Sequence, residues 1–353
     1  MSTSPRQNSI DVGFLAAAQR GDSQKFSELA EPFRRELQVH CYRILGSLHE
    51  AEDMVQETMV KAWKNIGTFE GRASFRSWLY RIATNCCLDF LDQKRTQRLL
   101  PVNFRPASDP QMKILPPLAD STWLEPFPDE WLEDAHAINP EARYTEFESI
   151  SLSFLMVLQA LPPRQRAVLI LRDVLDFSAE ETAGILESTL SSVNSSLHRA
   201  RKTLTARYQG GMPDEPDAVI LDEKTKGLLD HFVQAWESAD VAGLVKLLKE
   251  DAIFEMPPSP SWYQGRNEIA QLLSMMPFGN NEMFPGPAET RWRLLRTRAN
   301  ASIAFAMYQR NEKQRYQAFG MLLVEQDGAR ISRITNFIDP LLPMRFGLPS
   351  QLA

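Results

Sequence analysis

Between Val12 and about Arg98 the apolar residues recur at helical spacing with few Gly or Pro, which predicts a helical bundle over 11–98. Ser47 stands three residues before Glu50. At that spacing a hydroxyl can accept the third helical N–H while the carboxylate reaches back, so a helix should open there. It reads EAEDMVQETMVKAWKNI, with Met54, Val55, Met59 and Ala62 on the inner side and Asp53, Gln56 and Glu57 on the outer side. A further helix is expected from Ser74 to about Lys94, where Phe75, Trp78, Tyr80 and Arg81 interleave aromatics with cations. Such a surface suits unpaired bases, which stack on rings while cations follow phosphates, although an aromatic stripe at helical spacing equally well forms core.

The helical pattern then collapses. Eight of the 23 prolines fall between Pro101 and Pro140, and proline both fixes φ and removes a backbone donor, so 99–148 reads as a linker. From Asp109 to Glu148 it carries ten acidic residues against Lys113 and Arg143, a negative field able to lie against basic surfaces. Its cluster Trp123, Leu124, Phe127, Trp131 and Leu132 is too aromatic for a pure spacer and is expected to dock.

Helical periodicity returns over 149–208. Ser178 and Glu181 have capping-box spacing, and Thr189 followed by Ser192 offers a second N-cap three residues after that helix ends. Val193, Leu197, Ala200 and Leu204 fall on one face of the second helix, and small Ala183 permits close approach of the first. Two helices joined by a three-residue turn make a helix-turn-helix, with Glu187 where glycine is common. The outward face presents Asn194, Ser195, His198 and Arg199, which suit base edges in a major groove. Between Thr189 and Arg207 there are four basic residues and no acidic one, so Arg201, Lys202 and Arg207 are candidate phosphate contacts. An ordinary helical hairpin with a solvated basic face is the competing reading at this point.

After a second linker at 209–224, residues 225–340 change character. Two amphipathic helices, Leu228 to Ala239 and Val241 to Lys249, are followed by runs rich in β-branched and aromatic residues, Ala252 to Met256, Arg291 to Thr297, Ser302 to Gln309, Gln317 to Glu325 and Arg330 to Ile338, an α+β domain. The whole is therefore multidomain: two all-α domains and a C-terminal α+β domain. The length, 353 residues, exceeds what one core usually organises. A net charge of −6 would weigh against nucleic acid if it were evenly spread, and the mapping above says it is not. Three cysteines give neither a disulfide framework nor a paired metal motif, and no apolar run reaches spanning length. A cytoplasmic protein without metal, cofactor or membrane partner is the expectation.

The residues AEDMVQETMVKAWKNIGTF followed by FRSWLYRIATNCCLDFLDQKR resemble regions 2.2 to 2.4 of extracytoplasmic-function (ECF) RNA polymerase sigma factors. LPPRQRAVLILRDVLDFSAEETAGILESTLSSVNSSLHRARKTL likewise resembles their region 4. The resemblance implies a promoter-recognition subunit with no bond chemistry of its own and no catalytic residue. Asp53, Gln56 and Glu57, with nearby Trp63, would bind core polymerase at the clamp of its largest subunit, with the flap as a further contact. Glu70, Gly71, Arg72 and Phe75 would belong to the loop that captures a base flipped from the minus-ten element, and Arg76, Trp78, Arg81 and Asn85 would line the melted strand. Unstacking costs a few kcal/mol per base, so the pocket must offset it. Asn194, Ser195, His198 and Arg199, with Arg201 and Lys202 on phosphates, would read the minus-35 element as duplex.

Residues 225–340 resemble the SnoaL-type, nuclear-transport-factor-like cone, whose mouth often holds an apolar ligand. Phe254, Trp262, Tyr263 and Trp292 are the candidate pocket residues, and an aromatic core explains them about as well. The only histidine of this domain is His231, and no convincing acid–base dyad is present. The extension implies a built-in modulator of the sigma regions; the DGGGK-type motif of one subgroup is absent. Two other classes remain open on sequence: a ligand-responsive DNA-binding regulator, and a SnoaL-type enzyme fused to a helical module.

Overall fold

A computed structural model of the protein describes residues 12–94, 98–118, 123–135, 149–207 and 223–352. They form two compact units. One contains the chain up to Arg98 and the helices from Glu130 to Arg207; the other contains Leu99–Asp129 and the C-terminal region. The expected second linker lies outside the described residues over 209–222.

In chain order the helices up to Arg207 are α1 (Val12–Gln19), α2 (Ser23–Ala30), α3 (Arg34–Leu45), α4 (Leu48–Asn65), α5 (Phe75–Lys94), α6 (Pro101–Phe104), α7 (Glu130–Ala135), α8 (Leu152–Gln159), α9 (Pro163–Leu169), α10 (Ala179–Ile185) and α11 (Leu190–Arg207). All but α6 belong to the first unit. Gly46 ends α3 at φ 70°, the left-handed cap that glycine adopts without a Cβ penalty. Ser47 accepts the Glu50 N–H at 3.1 Å and opens α4, while the Glu50 carboxylate pairs with Arg98 at 2.8 Å. Leu37, Cys41, Leu48, Ala51, Leu79, Ala83 and Cys87 bury the inner faces of α3, α4 and α5. In α7, Leu132 is buried and Trp131 lies under the Arg35 guanidinium at 4.2 Å, so these linker residues dock on α3.

The second helical domain packs on the first. Phe177, just before α10, meets Tyr80 of α5 with ring centroids 5.1 Å apart. Arg166 of α9 is 2% exposed and donates to the Ile44 carbonyl at the end of α3, to Gln159 Oε1 at 2.7 Å and to the Leu161 carbonyl at 3.2 Å. Burial lowers its pKa to about 10. The negative C-terminal end of α3 suits a cation here.

In the second unit, α12 (Glu223–Glu237), α13 (Val241–Leu247) and α14 (Arg266–Met275) cover one face of a sheet. Its strands are β1 (Leu248–Glu255), β2 (Trp262–Gln264), β3 (Trp292–Ala299), β4 (Ser302–Arg310), β5 (Tyr316–Asp327), β6 (Arg330–Phe337) and β7 (Gln351–Leu352). The order is β2-β1-β6-β5-β4-β3, with β7 on β5. Only β1 and β6 run parallel among the described pairs. Phe232, Trp236, Phe254, Tyr263, Trp292, Phe305 and Leu322 share the core between helices and sheet, the α+β cone expected for this region. Buried Arg291 ties the carbonyls of Pro277 and Gly279 at 2.6 and 2.9 Å, closing the loop before β3.

Candidate nucleic-acid interface

The helix-turn-helix forms as the caps require. Ser178 and Glu181 make a full capping box at 3.1 and 2.9 Å, and Thr189 Oγ1 accepts the Ser192 N–H at 3.2 Å to open α11. In the turn Glu187 adopts φ 47°, a left-handed conformation that costs about 1–2 kcal/mol in a residue with a Cβ. The turn geometry thus survives without glycine, at some local strain. Val193, Leu197 and Ala200 are buried against the domain, and Leu204 is half-buried. Asn194, Ser195, His198 and Arg199 all face solvent on the opposite side. Arg199 reaches back to Ser196 Oγ at 3.3 Å. Lys202 is exposed. Arg201 is exposed too, but it forms a two-pronged ion pair with Asp173 at 2.6 and 2.9 Å, and these hydrogen bonds raise its pKa. Asp173 sits in the π turn Ile170–Val174 that ends α9, a placement no periodicity announces.

On the first helical domain, Asp53, Gln56 and Glu57 stand out from α4 and continue into Val60, which is 51% exposed. Glu57 is bridged to Lys61 at 2.7 Å. Trp63 is half-buried, its ring 5.3 Å from that of Phe26.

The loop before α5 carries Glu70, Gly71 (φ 73°) and Arg72 in solvent, with Glu70 and Arg72 ion-paired. Ser74 caps α5, accepting the Ser77 N–H at 3.0 Å. Beneath the loop Phe75 and Trp78 stack at 5.5 Å, and Phe69 meets both. Both Phe75 and Trp78 are buried, so these two candidates are floor rather than exposed stacking surface. Arg81 and Asn85 are half-buried on α5. Arg76 donates to Glu36 at 3.0 Å and lies 4.9 Å from the centre of the Phe177 ring. Burial opposes its charge, but Tyr80 and Glu36 outweigh that and hold its proton above the ordinary guanidinium affinity.

The candidate pocket set divides. Phe254, Tyr263 and Trp292 lie in the cone's core. Trp262 does not: it faces the other side of the sheet, where its Nε1 donates to the Arg105 carbonyl at 2.7 Å. Sequence reasoning missed this because β2 alternates sides within three residues. What Trp262 holds is the linker. Ser108 N donates to the Trp262 carbonyl at 2.7 Å, Leu118 N to the Pro258 carbonyl at 3.0 Å, and Phe127 N to Asn300 Oδ1 at 2.8 Å. Asp129 Oδ1 accepts the Ala301 N–H at 3.0 Å, and Trp123, Leu124 and Phe127 are buried. No described helix is long and apolar enough to cross a membrane.

The helix-turn-helix with an exposed basic second helix, and the separate helical domain with an aromatic cluster beneath an exposed loop, are the features a sigma-class transcription-initiation subunit requires. Residues 29–97 match Sigma-70 region 2 and residues 151–204 match Sigma-70 region 4. The ECF RNA polymerase sigma factor SigG of Mycobacterium tuberculosis is 39% identical over 357 residues, covering 97% of this chain and 90% of its own length. The chain belongs to the ECF RNA polymerase sigma factors. SigW of Bacillus subtilis, 28% identical, aligns with 54% of this chain and 92% of its own. The crystal structure of the M. tuberculosis extracytoplasmic function sigma factor SigJ shares the fold over 92% of this chain and 99% of its own, at a TM-score of 0.54 and 18% identity. Core RNA polymerase and promoter DNA are accordingly the partners of this chain, and its family is not enzymatic.

Proposed function

We propose that the exposed row Asn194, Ser195, His198 and Arg199 reads the minus-35 element, and that this row, opposite buried Val193, Leu197 and Ala200, is the observation that carries the reading. Lys202 holds phosphate, and Arg201 joins it only by sharing or leaving Asp173. The stripe Asp53, Gln56 and Glu57, with Trp63 at its end, binds the polymerase clamp, and region 4 meets the flap. The Glu70, Gly71 and Arg72 loop captures a flipped minus-ten base above the Phe75 and Trp78 floor, while Arg76, Arg81 and Asn85 line the melted strand. The site of action is the cytoplasm.

The C-terminal domain modulates this activity by holding the 99–129 part of the linker between regions 2 and 4. A small-molecule ligand in the cone, against Phe254, Tyr263 and Trp292, would shift activity only by binding the docked and free forms unequally. Arg199→Ala tests the central assignment. Losing one base contact should cost about 1–3 kcal/mol and relax preference at one position of a promoter library transcribed by core polymerase. Unchanged selectivity across the library would move the recognition face elsewhere.

A further inference from the structure

Glu255 closes β1, and its neighbours Phe254 and Met256 both point into the cone's core. Its own side chain therefore emerges on the opposite face of the sheet, under the docked linker. There it is 0% exposed. The carboxylate accepts the Val102 N–H at 3.2 Å, the Thr335 hydroxyl at 3.1 Å and Arg333 Nη1 at 3.4 Å. Val102 belongs to the first turn of α6, whose amides have no partner inside the helix and which has no side-chain cap of its own. Glu255 supplies that cap from the sheet. Its register partner Trp262 grips the linker three residues on, at Arg105.

Among the described residues, two charges act on it. Arg333 comes from β6 and Glu325 stands opposite Arg333 on β5. The Arg333 side chain is 19% exposed, so the cation stays partly in water while the carboxylate is dry. Burial pushes the Glu255 pKa up, against the opposing pulls of Arg333, the Val102 amide and Thr335. The linker is part of what buries it, so lifting the linker returns the carboxylate to water and to an ordinary proton affinity.

We propose that Glu255 is a proton-linked latch for the linker: the stretch around Val102 lies down on the sheet when the acid is neutral and lifts when it ionises. The neutral acid keeps an acceptor oxygen for the Val102 amide and avoids leaving a dry charge. The sign follows from linkage. The docked state binds the proton more tightly, so docking is fully favoured below the ordinary carboxylate range and is lost as pH rises through the raised value. This deepens the proposal that linker docking modulates the sigma factor and rests on it for its consequence, though the latch itself is read without transcription.

Amide hydrogen exchange of residues 99–118 in the full-length protein tests it, from about pH 5, just above the ordinary carboxylate range, to about pH 9, after correction for intrinsic exchange. Wild-type protection should fall by up to about tenfold per pH unit across the transition, the limit for one proton. Glu255→Gln should show no such fall. Amides of β4 and β5 report whether each variant keeps its fold. Should Glu255→Gln lose it, Thr335→Val serves instead: removing a donor that favours the carboxylate should move the transition to higher pH. Wild-type protection that does not change with pH, a wild-type slope in Glu255→Gln, or an unmoved midpoint in Thr335→Val overturns the latch. Modulation of transcription by docking would stand or fall separately.

Discussion

His40 lies fully buried between α3 and α5, and its hydrogen bonds fix where its proton sits. Thr84 Oγ1 donates to the Tyr80 carbonyl at 2.7 Å, so it accepts from His40 Nε2 at 2.8 Å. The other ring nitrogen, Nδ1, is buried with no partner. Burial, then the charges of Arg43 and Arg76, lower the His40 pKa to about 3. The unfolded chain takes up a proton near pH 6.5 that the folded chain refuses. Stability should therefore be full above that value and fall by up to about 1.4 kcal/mol per pH unit below it. Denaturant unfolding between about pH 6.5 and 5, above the ordinary carboxylate range, checks this as the difference between wild type and His40→Gln, in which any contribution from Glu255 cancels. His40→Gln should flatten the dependence; an equal slope in both proteins would assign it elsewhere.

Among elements, the proposed clamp-binding stripe of α4 is the simplest to test. Asp53 and Gln56 are exposed, so Asp53→Ala with Gln56→Ala should leave the melting temperature nearly unchanged while weakening core polymerase binding by about 1–3 kcal/mol in a pull-down or titration. Undiminished binding would place the interface on another element. Elements with a strong period were readable from the chain: α4 and α11 begin at the caps Ser47 and Thr189 that spacing alone picks out, and α5 begins just after Ser74, where a helix was expected. The strands from β3 to β6 also fall where β-branched and aromatic runs put them. The helix expected from Val241 to Lys249 runs past the true end of α13, because parallel pairing with β6 draws Leu248 onward into β1. The site was readable where it depends on which face a residue occupies. It was not where partners lie far apart in sequence, as for Arg201 with Asp173, Arg76 with Phe177, or Trp262 with Arg105. No local pattern encodes such pairs. The proline-rich segment likewise looked like a spacer around an aromatic cluster, whereas its backbone donors find fixed acceptors such as Asn300 Oδ1.

Over the whole molecule, two sets of contacts bear on promoter engagement as proposed above. Regions 2 and 4 touch through Tyr80, Phe177 and the buried Arg166, yet minus-ten and minus-35 elements lie about 25 base pairs apart, ~85 Å of duplex axis. On the proposed reading these contacts part on promoter DNA. Residues 99–129, which join the two regions, are also held by Trp262, Asn300 and Glu255. If the polymerase-competent arrangement needs this stretch free, docking lowers apparent affinity in proportion to the docked fraction. Tethering makes such docking efficient, because short linkers give effective concentrations of about millimolar. Single-round transcription from a cognate promoter by purified core polymerase, supplied with the full-length chain or with a chain ending at Gly210, measures this directly. Both proteins should direct initiation, and the shorter one should do so at lower concentration. Equal initiation by the two would contradict modulation by the C-terminal domain, and initiation by neither would contradict the promoter-reading assignment itself.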